Sequence, residues 1–281
     1  MASAHRVDRG EGVRANGILA LVAVVIGGGM IQHLGKKSVL IKSLRRRVRR
    51  RAEGDVIVDG RRLLDDVVRW DIGIVELYLA AGLAESSEAG TWIDVAEQVF
   101  ELAPEVLADV APTRNPQGVL AVVEEPRWPV WSASDGVGLY LEAVQDPGNL
   151  GAIVRSAAGL GASAILLGPG CADPWGPAAV RGSAGSVFRI PIEREVPLGR
   201  AVERIRRHRG ELWATGSDGR QLSEWQPSEP MLLMMGTEGR GLSDEALTDA
   251  DGVVSIPLER DIESLNVAVA AGILLSHLSH V

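Results

Sequence analysis

The chain has 281 residues, 46% of them hydrophobic, so it is long enough for one large or two modest domains with buried cores. Its single cysteine, Cys171, excludes an intrachain disulfide, and the absence of a recognisable signal peptide indicates a cytoplasmic protein. The formal net charge of −8 excludes a generic nucleic-acid binder unless positive charge is concentrated in one region.

The first 35 residues contain the longest apolar run of the chain, from Ile18 to Met30. This run is well short of the roughly 20 residues needed to cross a bilayer, so we expect no membrane span. Its composition is compatible with a strand, a buried helix or a disordered leader. We treat residues 1–35 as a leader segment.

Positive charge is concentrated between Lys36 and Arg62, where eleven Lys or Arg residues stand against three acidic residues. Leu44 and Val48 would form a narrow apolar stripe on a short helix whose other faces are cationic. Such a run is often a solvated face, but neutralising RNA phosphates is its obvious use. We predict RNA contacts through Arg45, Arg46, Arg47, Arg49, Arg50 and Arg51.

Residues 36–125 read as a small α/β domain. Strand-like segments alternate there with helical candidates: VIVDG, RRLLDDVVRW, IVELYLA, WIDVAEQVF and, after LAPEVLADVAP, GVLAVVEE. The proline-containing residues 126–135 fit a linker.

Beyond the linker, short apolar runs ending in Gly or Pro alternate with helical segments, which is typical of a mostly parallel sheet. The runs are LYLEAV, AILLGP, VFRIPI, ELWATG, MLLMMG and GVVSIPL. The last helix, SLNVAVAAGILLSHLSHV, is apolar nearly all round, so it should be buried, with a second subunit as one candidate neighbour.

Three segments stand at the ends of predicted strands, where α/β sheets bind ligands: DPGNLGAIVRSA, LLMMGTEGRGLS and SIPLERDIESLNVAVAAGI. None has the GxGxxG spacing of a dinucleotide site, and the chain has no P-loop. These absences argue against a nucleotide-dependent oxidoreductase. The scattered histidines and the lone cysteine predict no metal site.

In this order and near this spacing, the three segments resemble the motifs of the SpoU-type ribose methyltransferases of the SPOUT superfamily. The resemblance covers residues 136–281 closely. Residues 39–125 more loosely resemble the family's ribosomal-protein-like substrate-binding domain. The resemblance implies an α/β domain with a mostly parallel sheet and a carboxyl-terminal trefoil knot. It also implies a homodimer that methylates RNA ribose 2'-hydroxyls, with 23S rRNA as the expected substrate.

The resemblance also implies the cofactor and the site residues. S-adenosylmethionine would be held by Gly236, Thr237, Glu238, Gly239, Ile256, Leu258 and Leu265. The ribose hydroxyl and its phosphate would be surrounded by Asn149, Arg155, Glu238, Ser264 and Asn266.

Each of these catalytic assignments has a structural alternative. Asn149 suits a turn or helix cap, and Ser264 and Asn266 could cap the last helix. Arg155 alone would read as a solvated helix residue, and Glu238 as an exposed acid near a helix start.

The sequence departs from the family pattern at two positions. Arg260 stands where members generally carry glycine, and Thr237 where asparagine is common. Arg260 would swing outward, contact an RNA phosphate or narrow the cofactor pocket. The alternatives to an rRNA enzyme are a tRNA ribose methyltransferase and a catalytically idle RNA-binding protein of the same fold.

Overall fold

The computed structural model describes residues 23–26, 29–49, 54–134, 136–237, 239–260 and 262–279. These residues form two six-stranded sheets with helices packed on them. The strands of the amino-terminal sheet are β1 (Ala23–Ile26), β2 (Gly29–Leu34), β3 (Asp55–Asp59), β4 (Ile74–Ala80), β5 (Ala96–Leu102) and β6 (Val119–Glu124). The helices of this region are α1 (Val39–Arg49), α2 (Arg61–Arg69), α3 (Ser87–Val95) and α4 (Pro104–Val110).

The amino-terminal sheet is mixed, with the strand order β1-β2-β5-β4-β6-β3. β1 and β2 pair antiparallel, and β2 pairs in parallel with β5. The apolar run near the start of the chain is therefore strand where the structure describes it. The sheet thus begins before Lys36, the residue at which the sequence placed the start of the domain. Residues 1–22 lie outside the described residues.

The segment WIDVAEQVF, predicted as one helix, divides between two elements. α3 ends at Val95, and β5 continues from Ala96 between β2 and β4. Phe100 is buried in β5, and its ring stacks on that of Tyr78 at a centroid distance of 5.0 Å. The helix prediction was wrong for residues 96–100. Pairing with two strands and burial of the aromatic ring outweigh the local helical pattern there.

The second sheet is parallel throughout, as the sequence predicted, with the order β12-β10-β11-β7-β8-β9. Its strands are β7 (Val137–Leu141), β8 (Ala164–Leu167), β9 (Ile192–Glu193), β10 (Glu211–Gln221), β11 (Met231–Met235) and β12 (Gly252–Ser255). Its helices are α5 (Pro147–Gly159), α6 (Pro177–Gly182), α7 (Leu198–Arg207), α8 (Asp244–Asp249) and α9 (Val267–Leu278). All five residues of β7 and of β11 are buried, which fits a sheet covered on both faces.

Helices cover the two faces of this sheet. On one face, α5 and α9 pack on alternate strand residues such as Leu139 and Leu233. On the other face, α7 and α8 pack on the intervening residues, among them Leu166 and Leu232. No helix in the described part of the chain is both long and apolar enough to span a membrane.

The two sheets are joined by a segment, residues 126–134, that contains no helix or strand, and they pack against each other. The Arg189 guanidinium lies over the Trp70 ring, 5.1 Å from its centroid. Gly185 is left-handed, with φ of 81°, and a Cβ there would lie 2.5 Å from Leu63 Cδ1. The left-handed backbone and this close contact together favour glycine where the two halves meet.

Candidate active site at the carboxyl edge of the parallel sheet

The first predicted segment forms the start of α5. Asp146 caps this helix, because its carboxylate accepts a 2.7 Å hydrogen bond from the Asn149 amide, and Pro147 occupies the first turn. Gly151 lets α6 approach closely, since a Cβ there would lie 2.6 Å from the Ala179 carbonyl oxygen. The backbone that carries Asn149 is thus held by a cap and by helix packing.

The third predicted segment contains Asn266, which caps α9. The Asn266 Oδ1 accepts hydrogen bonds from the amides of Ala268 and Val269, at 3.0 and 3.3 Å. The Asn266 Nδ2 donates to the Asn149 Oδ1 at 2.9 Å. The structural alternative of a helix cap is therefore confirmed for Asn266, and the same side chain joins the third segment to the first.

Arg155 and Ser264 occupy separate positions around this pair. Ser264 is exposed in the strand-free segment two residues before Asn266. Arg155 is exposed on α5, and a separation of six helical residues turns it roughly 120° away from Asn149. The structure thus brings Asn149 and Asn266 together but leaves Arg155 facing a different side of α5.

The loop after β11 contains the second predicted segment. Gly236 is buried, and a Cβ there would lie 2.1 Å from the Gly241 carbonyl, so only glycine fits. The Gly241 amide donates to the Thr237 carbonyl at 3.0 Å, and Gly239 is left-handed, with φ of 91°. The loop therefore folds back on itself with its backbone close to the sheet. Glu238, predicted for both cofactor and substrate, lies outside the described residues.

The loop after β12 supplies apolar side chains. Ile256 packs against the core, Leu258 is 37% exposed, and Leu265 is half-buried. The Ile262 amide donates to the Glu259 carbonyl at 3.3 Å and closes a turn. These side chains could cover one side of a flat ligand while remaining open to solvent on the other.

Arg260 is the second residue of this turn, and its φ of 60° is left-handed. Turns with a positive φ at that position favour glycine. The glycine usual in the family therefore has a conformational reason here. The exposed position of Arg260 agrees with an outward swing, the first of the three outcomes considered from the sequence.

Strand order brings the loops to a common edge. β10 lies between β11 and β12, and β7 is the other neighbour of β11. Because the strands are parallel, the loops after β7, β11 and β12 leave from the same edge, which is where α/β sheets bind ligands. The loop after β11 offers glycine backbone that lies too close to its neighbours for a Cβ, and the loop after β12 offers partly exposed apolar side chains. Together these surfaces fit a nucleoside-like cofactor.

Glu142 contacts the second segment, although the sequence did not suggest it. Its carboxylate accepts a 2.8 Å hydrogen bond from the Ser243 amide and so ties the end of the second segment to β7. Burial, followed by the charge of Glu142, raises the pKa of Tyr140 to about 12. The phenol therefore stays protonated at physiological pH and donates a 3.3 Å hydrogen bond to the Val196 carbonyl. Glu142 and Ser243 are 101 residues apart in the chain, so no local sequence pattern indicates that they meet.

Arg47, one of the predicted RNA contacts, belongs to a partly buried polar network of the amino-terminal domain. Its guanidinium, 14% exposed, pairs with Glu76 and with Asp55, the latter at 3.2 Å, and lies 3.4 Å from the Tyr78 hydroxyl. Burial acts to lower the pKa of Arg47, but the hydrogen bond and charge of Glu76 outweigh it and raise the pKa. Arg47 is therefore placed to hold the domain together, and its predicted contact with an RNA phosphate stays a prediction.

The other arginines of the run face outward or toward α4. Arg46 and Arg49 are exposed, and with Lys42 they share one face of α1. Arg45 pairs with Asp109 of α4. The apolar stripe predicted on this helix is present, because Leu44 is buried and Val48 packs beside it. Arg50 and Arg51 lie outside the described residues.

Fold and site together define an α/β enzyme domain with ligand-binding loops after parallel strands, joined to a smaller α/β domain that carries a basic helix. The chain belongs to the SpoU rRNA Methylase family, which residues 136–276 match. Residues 39–121 match the MRM3-like substrate binding domain. The predicted family and the predicted α/β fold with a parallel sheet are thus confirmed.

Named relatives support the same family. The chain is 31% identical to the 23S rRNA (guanosine(2553)-2'-O)-methyltransferase RlmP of Bacillus subtilis, over 84% of this chain and 93% of that protein. An AdoMet-bound rRNA methyltransferase from Sinorhizobium meliloti superposes with a TM-score of 0.79 at 27% identity, covering 89% and 98% of the two chains. The SpoU methyltransferase AviRb from Streptomyces viridochromogenes, in complex with AdoMet, gives a TM-score of 0.75 at 28% identity, covering 87% and 98%.

Proposed function

We propose that this protein is an S-adenosylmethionine-dependent RNA ribose 2'-O-methyltransferase that acts on 23S rRNA. The observation that carries the proposal is the Asn149–Asn266 hydrogen bond, because it joins the first and third methyltransferase segments at the ligand-binding edge of the sheet. A relative named as a 23S rRNA methyltransferase, aligned over most of both chains, supports the choice of substrate.

The cofactor site is built from backbone and apolar groups of the loops after β11 and β12. The glycine backbone can approach a bent adenosine closely, and the apolar side chains can enclose its adenine ring. Binding of this kind requires no charged side chain. We assign to S-adenosylmethionine the residues Gly236, Thr237, Glu238, Gly239, Ile256, Leu258 and Leu265.

The protein's main task in the reaction is positioning. When bound, S-adenosylmethionine supplies a methyl group on a sulfonium, which is already a good leaving group. Asn149, Ser264 and Asn266, together with Glu238, hold the ribose hydroxyl in line for the displacement. Alignment of this kind can lower a barrier by roughly 7 to 11 kcal/mol.

Arg155 grips a substrate phosphate and polarises the ribose hydroxyl. A guanidinium is effectively never deprotonated in proteins, so Arg155 is not the base. The hydroxyl proton passes to a phosphate oxygen or to water as the new oxygen–carbon bond forms. Planar two-point contact with the phosphate is a property of arginine that lysine lacks.

The knot and the dimer are part of the proposal. The chain after Ser255 passes through the segment that follows β10. In support, the His277 Nε2 lies 2.8 Å from the carbonyl oxygen of Trp225, which follows β10. The Ser255 hydroxyl donates at 3.0 Å to the carbonyl of Gly219, which lies near the end of β10 itself. A second subunit covers the outer side of the apolar α9, where Val269 is 51% exposed. Arg155 then completes the partner's site, in agreement with its direction away from its own Asn149.

The two domains have separate roles in this proposal. Residues 36–125, with β2 added to them, select the RNA, residues 126–135 link the domains, and residues 136–281 carry the cofactor and catalysis. The protein acts in the cytoplasm. We also expect the reaction to need no metal.

Two measurements on the full-length protein test this function. Calorimetric titration with S-adenosylmethionine should give micromolar binding, and radiolabelled cofactor should transfer methyl groups to unmodified 23S rRNA transcribed in vitro. Arg155→Ala should bind the cofactor and fail to transfer the methyl group. Absence of cofactor binding would overturn the enzymatic proposal, and transfer to tRNA alone would overturn the substrate.

A further inference from the structure

A cleft of about 440 Å³ lies where the amino-terminal domain meets the parallel-sheet domain. Arg45 and Arg49, one turn apart on α1, line it from one domain, and Arg181 in the last turn of α6 lines it from the other. The rest of the lining is mainly apolar: Val48, Val110, Ala111, Pro112, Pro177 and Ala178.

Positive charge predominates along this cleft. The one carboxylate among the residues that line it, Asp109, is already paired with Arg45. Arg49 and Arg181 are exposed, and Arg49 makes no ion pair with any residue that the structure describes. Arg181 interacts through space with Asp59, whose carboxylate also accepts a 2.6 Å hydrogen bond from the Thr113 hydroxyl. On a chain with a net charge of −8, this is a local site for an anion.

The cleft is connected rigidly to the candidate active site. Gly182, the residue after Arg181, packs against the start of α5. A Cβ on Gly182 would lie 3.3 Å from the Gly148 carbonyl oxygen and 3.4 Å from the Gly151 Cα. Asn149 lies between those two residues. The backbone that carries Arg181 is therefore packed against the backbone that carries Asn149.

We propose that Arg49 and Arg181, with Arg45 beside them, bind the phosphodiester backbone of the RNA substrate within a few nucleotides of the target ribose. This inference rests on the proposed function, and it adds a residue of the parallel-sheet domain to the RNA-binding surface. The cleft thereby fixes how many nucleotides separate the RNA segment bound by the amino-terminal domain from the nucleotide that reaches Asn149. Phosphate contacts position a nucleic acid in this way without reading its sequence.

Filter binding of the full-length protein to unmodified 23S rRNA, over a series of KCl concentrations, tests the cleft. Arg49→Gln and Arg181→Gln should each weaken binding several-fold and reduce the slope of log affinity against log salt by roughly 0.7 to 0.9. Arg181→Lys should retain most of the slope. The matched control is Arg200→Gln on α7, which removes an exposed charge on the opposite face of the parallel sheet.

The outcomes separate this inference from the proposed function. If the native protein methylates the transcript but both glutamine variants bind it like Arg200→Gln, the cleft does not bind RNA phosphates. The proposed methyltransferase function would then still stand. If the slopes change as expected but the native protein transfers no methyl group, the cleft is a phosphate-binding site for RNA, and the proposed methyltransferase function is wrong. Failure of the native protein to bind the transcript would overturn both. Thermal unfolding of each variant checks that the fold is retained.

Discussion

The side-chain amide of Asn266 donates to the Oδ1 of Asn149, at 2.9 Å and across 117 residues of sequence. The Asn266 Oδ1 is occupied by the amides of Ala268 and Val269, so its Nδ2 is directed at Asn149. The cap of α9 and the junction of two methyltransferase segments therefore depend on one side chain. Displacing the cap would displace the junction.

Two substitutions separate these roles of Asn266. Asn266→Ala should destabilise the protein by about 1 kcal/mol, because it removes the helix cap, and should also abolish methyl transfer. Asn266→Asp keeps a capping oxygen but has no Nδ2 to donate, so it should remain stable and lose activity. Denaturant unfolding and transfer to 23S rRNA measure the two effects. An Asp variant as active as the native protein would show that the bond to Asn149 is dispensable.

Arg155 should act on the partner's site, since it faces away from the Asn149–Asn266 pair of its own subunit. Arg155→Ala and Asn266→Asp should each be inactive alone. After mixing with subunit exchange, half of the dimers are mixed, and each contains one intact site. We expect about a quarter of the native rate. Arg155→Ala mixed with itself is the control, and a mixture that remains inactive would place Arg155 in its own subunit's site.

Arg260→Gly should stabilise the loop after β12. The left-handed φ of 60° is costly for arginine, and relief of that strain exceeds the added entropy of glycine in the unfolded chain by about 1 kcal/mol. Arg240→Gly is the control, because that exposed arginine has no positive φ. Calorimetry with S-adenosylmethionine should give similar affinities for the native and Arg260→Gly proteins. Binding by the glycine variant alone would identify the native protein as an idle RNA binder.

Arg46 and Arg47 are adjacent in sequence but should respond differently to the same substitution. Arg47→Gln removes the partly buried cationic partner of the Glu76 carboxylate, so we expect a loss of about 3 kcal/mol in stability. Arg46→Gln should change stability by less than about 0.5 kcal/mol and weaken binding to 23S rRNA. Urea unfolding and filter binding measure these effects. Equal stability of the two variants would contradict the structural role of Arg47.

Much of the architecture follows from the sequence alone. Short apolar runs such as Met231–Met235, followed by glycine, indicate strands of a parallel sheet that is buried on both faces, and all five residues of that strand are buried. The apolar pair Leu44 and Val48 correctly predicted the helix that carries the arginine run. Asp146 before Pro147 is a local helix-start signal, and α5 begins there. These features are readable because each depends on residues close together in the chain.

Tertiary structure decided what depends on distant residues. Ala96–Leu102 became a strand because β2 and β4 flank it, although its local pattern favoured a helix. Six arginines predicted as one RNA-binding run were not equivalent, since Glu76 and Asp55 hold Arg47 inside the domain. The sequence determined which residues of the SpoU segments are present and where strands and helices recur. Only the fold decided that Asn149 meets Asn266, that Arg155 faces elsewhere and that Arg181 adjoins α1, because contacts across a hundred residues are set by packing and not by local propensity.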